Sequence, residues 1–235
     1  MQYVMLVRVD PDLPVPDGSD VEPWVEEGAR TGMRVEGDPV AEPQDARTVR
    51  VRDGRTLVSD GPFAEMQEVV AGYDLLRADS IEQAADYASR HPVAAFGALE
   101  IREVWQDFVP DDPAAPAPAP VETGQDFLFL HAPDPALYRT MAREEGDPTP
   151  WVRDVEARRV TLGGHRLRDE PEASVVVRRR DGETLIAHGP FAELGEQIAG
   201  IDLVRVPDEA DAISLAGSHP TARVGAIEVR ALRRF

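Results

Sequence analysis

Ser59-Asp60-Gly61-Pro62-Phe63-Ala64-Glu65 is written a second time in the chain, with two changes, as Ala187-His188-Gly189-Pro190-Phe191-Ala192-Glu193. The offset of 128 residues holds without a gap from Asp53 against Asp181 to Arg102 against Arg230. Roughly half of the paired positions are identical, as expected of a duplicated unit and not of a chance match. Two copies of one module therefore make up the chain. Each spans about 105 to 110 residues, enough to bury a core unaided. The expected boundaries are residues 1–110 for the first module, 111–123 for a linker and 124–235 for the second.

Working outward from the repeated stretch, Val49 and Val51 alternate with Arg50 and Arg52 before Asp53-Gly54, and Thr56 to Val58 follows. That is the pattern of a two-residue hairpin, and Asp181-Gly182 repeats it. Such a loop places Arg180 opposite Glu183, a favourable pair, and Arg52 opposite Arg55, an unfavourable one. After the Gly-Pro break, strands are predicted from Gly72 to Leu76 and from Gly200 to Val204. Ser80, with Gln83 three residues on, opens a helix whose stripe is Ile81, Ala84, Ala85 and Ala88; Asp208 opens its twin. These helices end at His91-Pro92 and His219-Pro220, and alternating strands follow from Ala98 and Ala226.

Upstream, Tyr3 to Val7 and Phe127 to Leu130 are apolar at every position, the mark of strands covered on both faces. Trp24 to Thr31 reads as a helix stopped by Gly32. In the second copy Thr149 caps, Pro150 takes the first helical position and Gly163-Gly164 is the predicted stop. Pro135 to Glu145 adds a helical turn that the first copy lacks. Each module thus reads strand, helix, strand hairpin, strand, helix, strand. The Ala-Pro repeats between Asp111 and Thr123 predict an extended polyproline spacer. With helices on one face of each sheet, the other module's sheet is the expected cover for the second face, giving an intramolecular pseudo-dimer.

Composition removes several classes of function. Cysteine, lysine and asparagine are absent, which excludes disulfides, thiolate and Schiff-base chemistry, and N-glycosylation. A net charge of −19 argues against nucleic acid as a partner and leaves a basic protein partner open. The chain opens on a strand-like run, and no apolar segment approaches the length of a membrane span, so a cytoplasmic protein without membrane contact is expected. Gly-x-Ser-x-Gly and phosphate-binding glycine loops are absent, leaving hydrolase and nucleotide readings without support.

Val-Arg-Val-Arg-Asp-Gly, Asp-Gly-Pro-Phe-Ala-Glu, Ala-Gly-Tyr-Asp-Leu-Leu, Ser-Arg-His-Pro and Ala-Leu-Glu-Ile-Arg-Glu-Val-Trp, between positions 49 and 105, resemble the YCII-related, or DGPF-domain, family. The second copy is similar to it too, although it reads His-Gly-Pro-Phe. The resemblance implies an α+β fold, two ferredoxin-like modules of the dimeric α/β-barrel type, normally a homodimer and here fused in tandem. It brings no settled activity. The wider group is regarded as enzyme-like for a His-Asp pair in a cleft and for one relative that dehydrochlorinates a chlorinated aromatic. DGPF proteins are also associated with extracytoplasmic-function sigma factors.

Candidate catalytic residues are His91 with Asp60, and His219 with His188. The two helix-terminal histidines stand where the macrodipole favours an imidazolium, or alternatively cap the last carbonyls. Asp60 is a candidate base or a turn residue, and its replacement by His188 makes the two sites unequal. Phe63 and Phe191 are candidate pocket walls; Glu65 and Glu193 are candidate polar ligand contacts, alternatively a solvated face. Convergence of His131, His188 and His219 would offer a transition-metal site, but no close-spaced metal motif is present and none is assigned. The expected chemistry is cofactor-free His/Asp proton transfer, of isomerase or lyase type, on an aromatic or lactone-like small molecule. The alternative is a regulatory module with a protein partner. The chain is expected to be a monomer or a dimer.

Overall fold

The structure is a computed structural model that describes residues 1–63, 68–105, 121–189, 191 and 197–233. In the first module β1 (Gln2–Val9), α1 (Glu22–Thr31), β2 (Arg34–Pro39), the hairpin β3 (Arg47–Arg52) and β4 (Arg55–Asp60), β5 (Val69–Arg77), α2 (Ile81–Ser89) and β6 (Ala98–Glu103) follow in order. The second has β7 (Gln125–Pro133), the short helices α3 (Pro135–Thr140) and α4 (Arg143–Gly146), then α5 (Thr149–Ala157) and β8 (Thr161–Arg166). Its hairpin is β9 (Ser174–Arg180) and β10 (Glu183–His188), followed by β11 (Gly200–Val206), α6 (Glu209–Ser218), α7 (Thr221–Val224) and β12 (Gly225–Ala231).

Four strands of each module pair antiparallel in the ferredoxin-like order, β6-β1-β5-β2 and β12-β7-β11-β8. The hairpins, however, cross over. β9 pairs with β6 of the first module, Leu99 opposite Val177, while β3 pairs with β12 of the second, Ile227 opposite Val49. Each six-stranded sheet is completed by the other module's hairpin. The pseudo-dimer is therefore a strand exchange, beyond the face-to-face packing expected from the apolar runs.

Both turns have the predicted geometry. Asp53 and Gly54 have φ 52° and 71°, and Asp181 and Gly182 have φ 53° and 82°, the left-handed pair a two-residue hairpin demands. The Arg52–Arg55 conflict is relieved because the Arg52 guanidinium donates to the carbonyls of Ala222, Arg223 and Gly225 in the other module. Arg180 does the same to Ala94, Ala95 and Gly97.

Alternation along the strands sorts the core into three layers. Tyr3, Met5 and Val7 face the helices of the first module together with Val175 and Val177 from the exchanged strand. Phe127, Phe129 and Val49 do so in the second. Val4, Leu6, Tyr73, Leu75, Leu128, Leu130, Ile201 and Leu203 fill the space between the sheets. The inter-sheet face also buries charge. Arg8 Nη2 donates to Glu100 Oε2 at 2.7 Å and Arg230 Nη1 to Glu228 Oε1 at 2.9 Å. Burial pushes the Glu100 carboxyl up, but Arg8 and Arg102 outweigh it and hold the group below its usual range.

Two strands, β2 and β8, were not expected from the sequence. Gly163 and Gly164 lie inside β8 and do not end the preceding helix; α5 ends at Ala157, and Arg159 makes the exit with φ 59°. Its N-terminal cap position is Pro148, one residue before Thr149, whose amide donates to Asp147 Oδ1. Among the described residues no helix is long and apolar enough to cross a membrane.

Candidate functional site

A cleft of about 570 Å³ lies against the first module's sheet. Its inner wall carries Trp24 from α1, Arg34 and Asp38 from β2, Asp74 from β5 and His91 at the end of α2; Leu13, Val15, Arg230 and Arg233 stand at other points of its lining. Trp24 is locked in place: its indole Nε1 donates to the Tyr87 carbonyl at 3.0 Å, and the Tyr87 hydroxyl donates back to the Trp24 carbonyl at 2.7 Å. The ring then meets His91 edge-on at 4.7 Å.

His91 does not cap helix carbonyls. The amide of Val93 donates to its Nδ1 at 3.1 Å, so the neutral ring carries its proton on Nε2. The expected imidazolium is also overturned. Burial, helped by the Arg34 charge, lowers the His91 pKa to about 4, outweighing the helix dipole. His91 is thus a neutral hydrogen-bond donor at pH 7.

Asp74 is a further candidate, one that its strand setting hides in the sequence. It sits in an otherwise apolar strand, and burial raises its pKa to about 7 against the lowering effect of Arg34, whose Nε donates to its Oδ1 at 2.6 Å. Gly37, opposite Asp74 in the register of β2, makes room for that carboxyl: a Cβ there would lie 2.1 Å from Asp74 Oδ1. The sequence signal was the single Asp repeated at the 128-residue offset within two apolar strands, Asp74 and Asp202.

The second module builds the same place from different residues. His131 stands on β7 where Val7 stands on β1, since Val7 pairs with Gly72 and His131 with Gly200. Asp202 replaces Asp74, Trp151 replaces Trp24 and His219 replaces His91. The His131 and His219 rings are 4.4 Å apart, Trp151 meets His219 edge-on at 4.7 Å, and the amide of Thr221 donates to His219 Nδ1 at 3.1 Å. Burial, with His131 beside it, lowers the His219 pKa to about 2. His165 on β8 is also held down by burial, against an opposing pull from Asp202.

The other sequence candidates lie elsewhere. Asp60 ends β4 at the outer edge of the second sheet, its side chain 90 % exposed and 3.6 Å from Arg47. His91 packs on the first sheet, so the structure does not bring these two together. His188 ends β10 at the edge of the first sheet, exposed and near Glu82 of α2, away from His219. Phe63 and Phe191 do not wall the histidine cleft. Their amides donate to Glu228 and Glu100, fastening each phenylalanine to the other module's buried charges. Phe191 lines an adjoining cavity of about 520 Å³ with Glu68 and Arg178, which shares Asp10, Leu13 and Phe96 with the cleft. Glu65 and Glu193 lie outside the described residues.

The sequence profile of the YCII-related domain matches residues 1–108 and again residues 129–235. The chain belongs to the YCII-related domain family. No curated protein matches the chain. Among solved structures it is similar to the crystal structure of a candidate chlorite dismutase, at 8 % identity and a TM-score of 0.39, over 99 % of this chain and 94 % of that one.

Proposed function

We propose that this YCII-related protein binds a small, largely apolar molecule in the cleft of the first module and moves a proton on it, in isomerase- or lyase-type chemistry. The observation that carries this reading is a buried carboxyl, Asp74, poised near neutrality in a cleft shared with a neutral imidazole donor. A carboxyl with a pKa of about 7 both takes and returns a proton at physiological pH. His91 Nε2–H is suited to hold a carbonyl or enolate oxygen, and Arg34 keeps Asp74 oriented. Trp24 with the aliphatic lining favours a flat apolar body, and the half-exposed Arg233 favours an acidic group, as in small aromatic acids or lactones.

A thermal-shift screen against such acids and lactones tests binding. One compound class should stabilise the protein, because a ligand bound only by the native state raises stability by mass action. That stabilisation should vanish in His91→Ala. For a compound that binds, proton transfer is read by NMR as deuterium uptake from solvent, fast in the wild type and lost in Asp74→Asn. No stabilisation by any member, or stabilisation and exchange that survive both substitutions, overturns the reading.

A further inference from the structure

We propose that the second module holds a divalent transition-metal ion, of the zinc type, between His131, Asp202 and His219. This inference is independent of the reading of the first cleft. One ligand atom from each of the three residues lies within 4.8 Å of the others. Three such atoms around one ion at about 2.0–2.2 Å would stand roughly 3–3.5 Å apart, so side-chain adjustments on the order of 1 Å close the set.

The second observation concerns His131. It is 5 % exposed, and among the described residues neither of its ring nitrogens makes a hydrogen bond. Asp202 Oδ2 comes within 2.7 Å of its Nε2, yet off the direction a ring N–H needs, so the contact has the distance of an ion pair without forming a hydrogen bond. A buried imidazole without a hydrogen bond at either nitrogen is a costly arrangement that a bound ion repairs. In the first module the same position is Val7, and Arg34 occupies the carboxylate there, so no equivalent set forms.

His219 contributes by exchange. Its Nδ1 now accepts from Thr221, which leaves the ring proton on Nε2. Ligation through Nε2 moves that proton to Nδ1 and trades the Thr221 hydrogen bond for a much stronger metal bond. Two imidazoles and one carboxylate leave a coordination position for water, and the Asp202 side chain, 18 % exposed, provides the opening to solvent. His188 is remote from the set, so of the histidines compared in the sequence only His131 and His219 converge.

The test uses the full chain stripped with a chelator and titrated with Co²⁺, read by visible ligand-field absorption, and with Zn²⁺, read by calorimetry. One equivalent per chain is expected. His131→Val installs the residue that the first module packs at this position, and Asp202→Asn keeps the side chain's shape. Each should weaken binding beyond the roughly 10- to 100-fold typical of losing an outer-shell partner. His188→Gln should leave stoichiometry and affinity unchanged. Histidine ring resonances in NMR provide a reading that does not depend on any variant folding: on Zn²⁺ addition two of the five should shift together. Absence of a one-equivalent site, or unchanged affinity in folded His131→Val and Asp202→Asn, overturns the proposal.

Discussion

The two modules share a backbone and a histidine before proline, yet the surroundings of that histidine have diverged. In the first, a carboxyl near neutrality is held by Arg34 in an open cleft; in the second, Asp202 stands beside two imidazoles, and Thr161 takes the strand position of Arg34. Position for position, Val7 has become His131 and Arg34 has been lost from the carboxyl. Two differences on one sheet face separate the pocket proposed for proton transfer from the set proposed to bind a metal. Duplication inside one chain allows this, because each copy can change without its partner changing too.

The largest test of the comparison lies between the sheets. Arg8 has no counterpart in the second module, where Ala132 occupies its place beside Ala226 as Arg8 stands beside Ala98. Glu100→Ala strands Arg8 and Arg102, whereas Glu228→Ala strands Arg230 alone. Urea denaturation should give a loss of about 3–5 kcal/mol for Glu100→Ala and a smaller one for Glu228→Ala. Equal losses would mean that the two buried networks are interchangeable.

A pH series separates Asp74 from His91 by sign. His91 has a folded pKa below its unfolded value, so between about pH 4 and 6.5 the unfolded chain binds the extra proton and stability rises with pH. Asp74 has a raised folded pKa, so stability falls as pH climbs from the carboxylate range to about 7. In the wild type the two oppose. Relative to it, His91→Leu should tilt the stability profile downward with rising pH and Asp74→Asn should tilt it upward, each on the order of 1 kcal/mol per pH unit. Parallel profiles would remove Asp74 and His91 from the titration.

A finer contrast is Gly37 against Gly164. A Cβ on Gly37 meets the Tyr73 carbonyl oxygen at 2.5 Å as well as the Asp74 carboxylate, but a Cβ on Gly164 meets only the end of Asp202 closely, at 2.3 Å. Gly37→Ala should therefore cost roughly 1–3 kcal/mol by thermal or urea melts, and Gly164→Ala less, because a terminal carboxylate rotates and a strand carbonyl does not.

Much of the fold was legible because its signals are local and duplicated. Asp53-Gly54, the Ser80 cap and the all-apolar runs each specify one element, and the 128-residue offset confirms each element twice. β2 and β8 escaped because Arg34–Pro39 and Thr161–Arg166 are polar and glycine-bearing, edge strands without alternation. The hairpin exchange was invisible for a different reason: Val49 and Val51 need a neighbouring strand, and nothing in a strand's pattern says which module supplies it. The sites were read only partly. Their helix ends mark both histidines in the sequence, but Asp74 reads there as one position of a strand; what singles it out is burial beside Arg34, a contact across 40 residues.

The exchanged hairpins also set the order in which the protein can assemble as it is made. β3 and β4 are synthesised with the first module, yet β3 waits for β12 of the second, and β6 waits for β9. Until then Leu57 and Val58 sit on a hairpin with no sheet to join. Neither half can reach its final form before the other has been made, so maturation is a long-range event, slow by virtue of its sequence separations. A cell truncating this chain after residue 120 would be left with an open sheet edge on β6 and an unpaired hairpin, a substrate for proteases or for a second copy of itself.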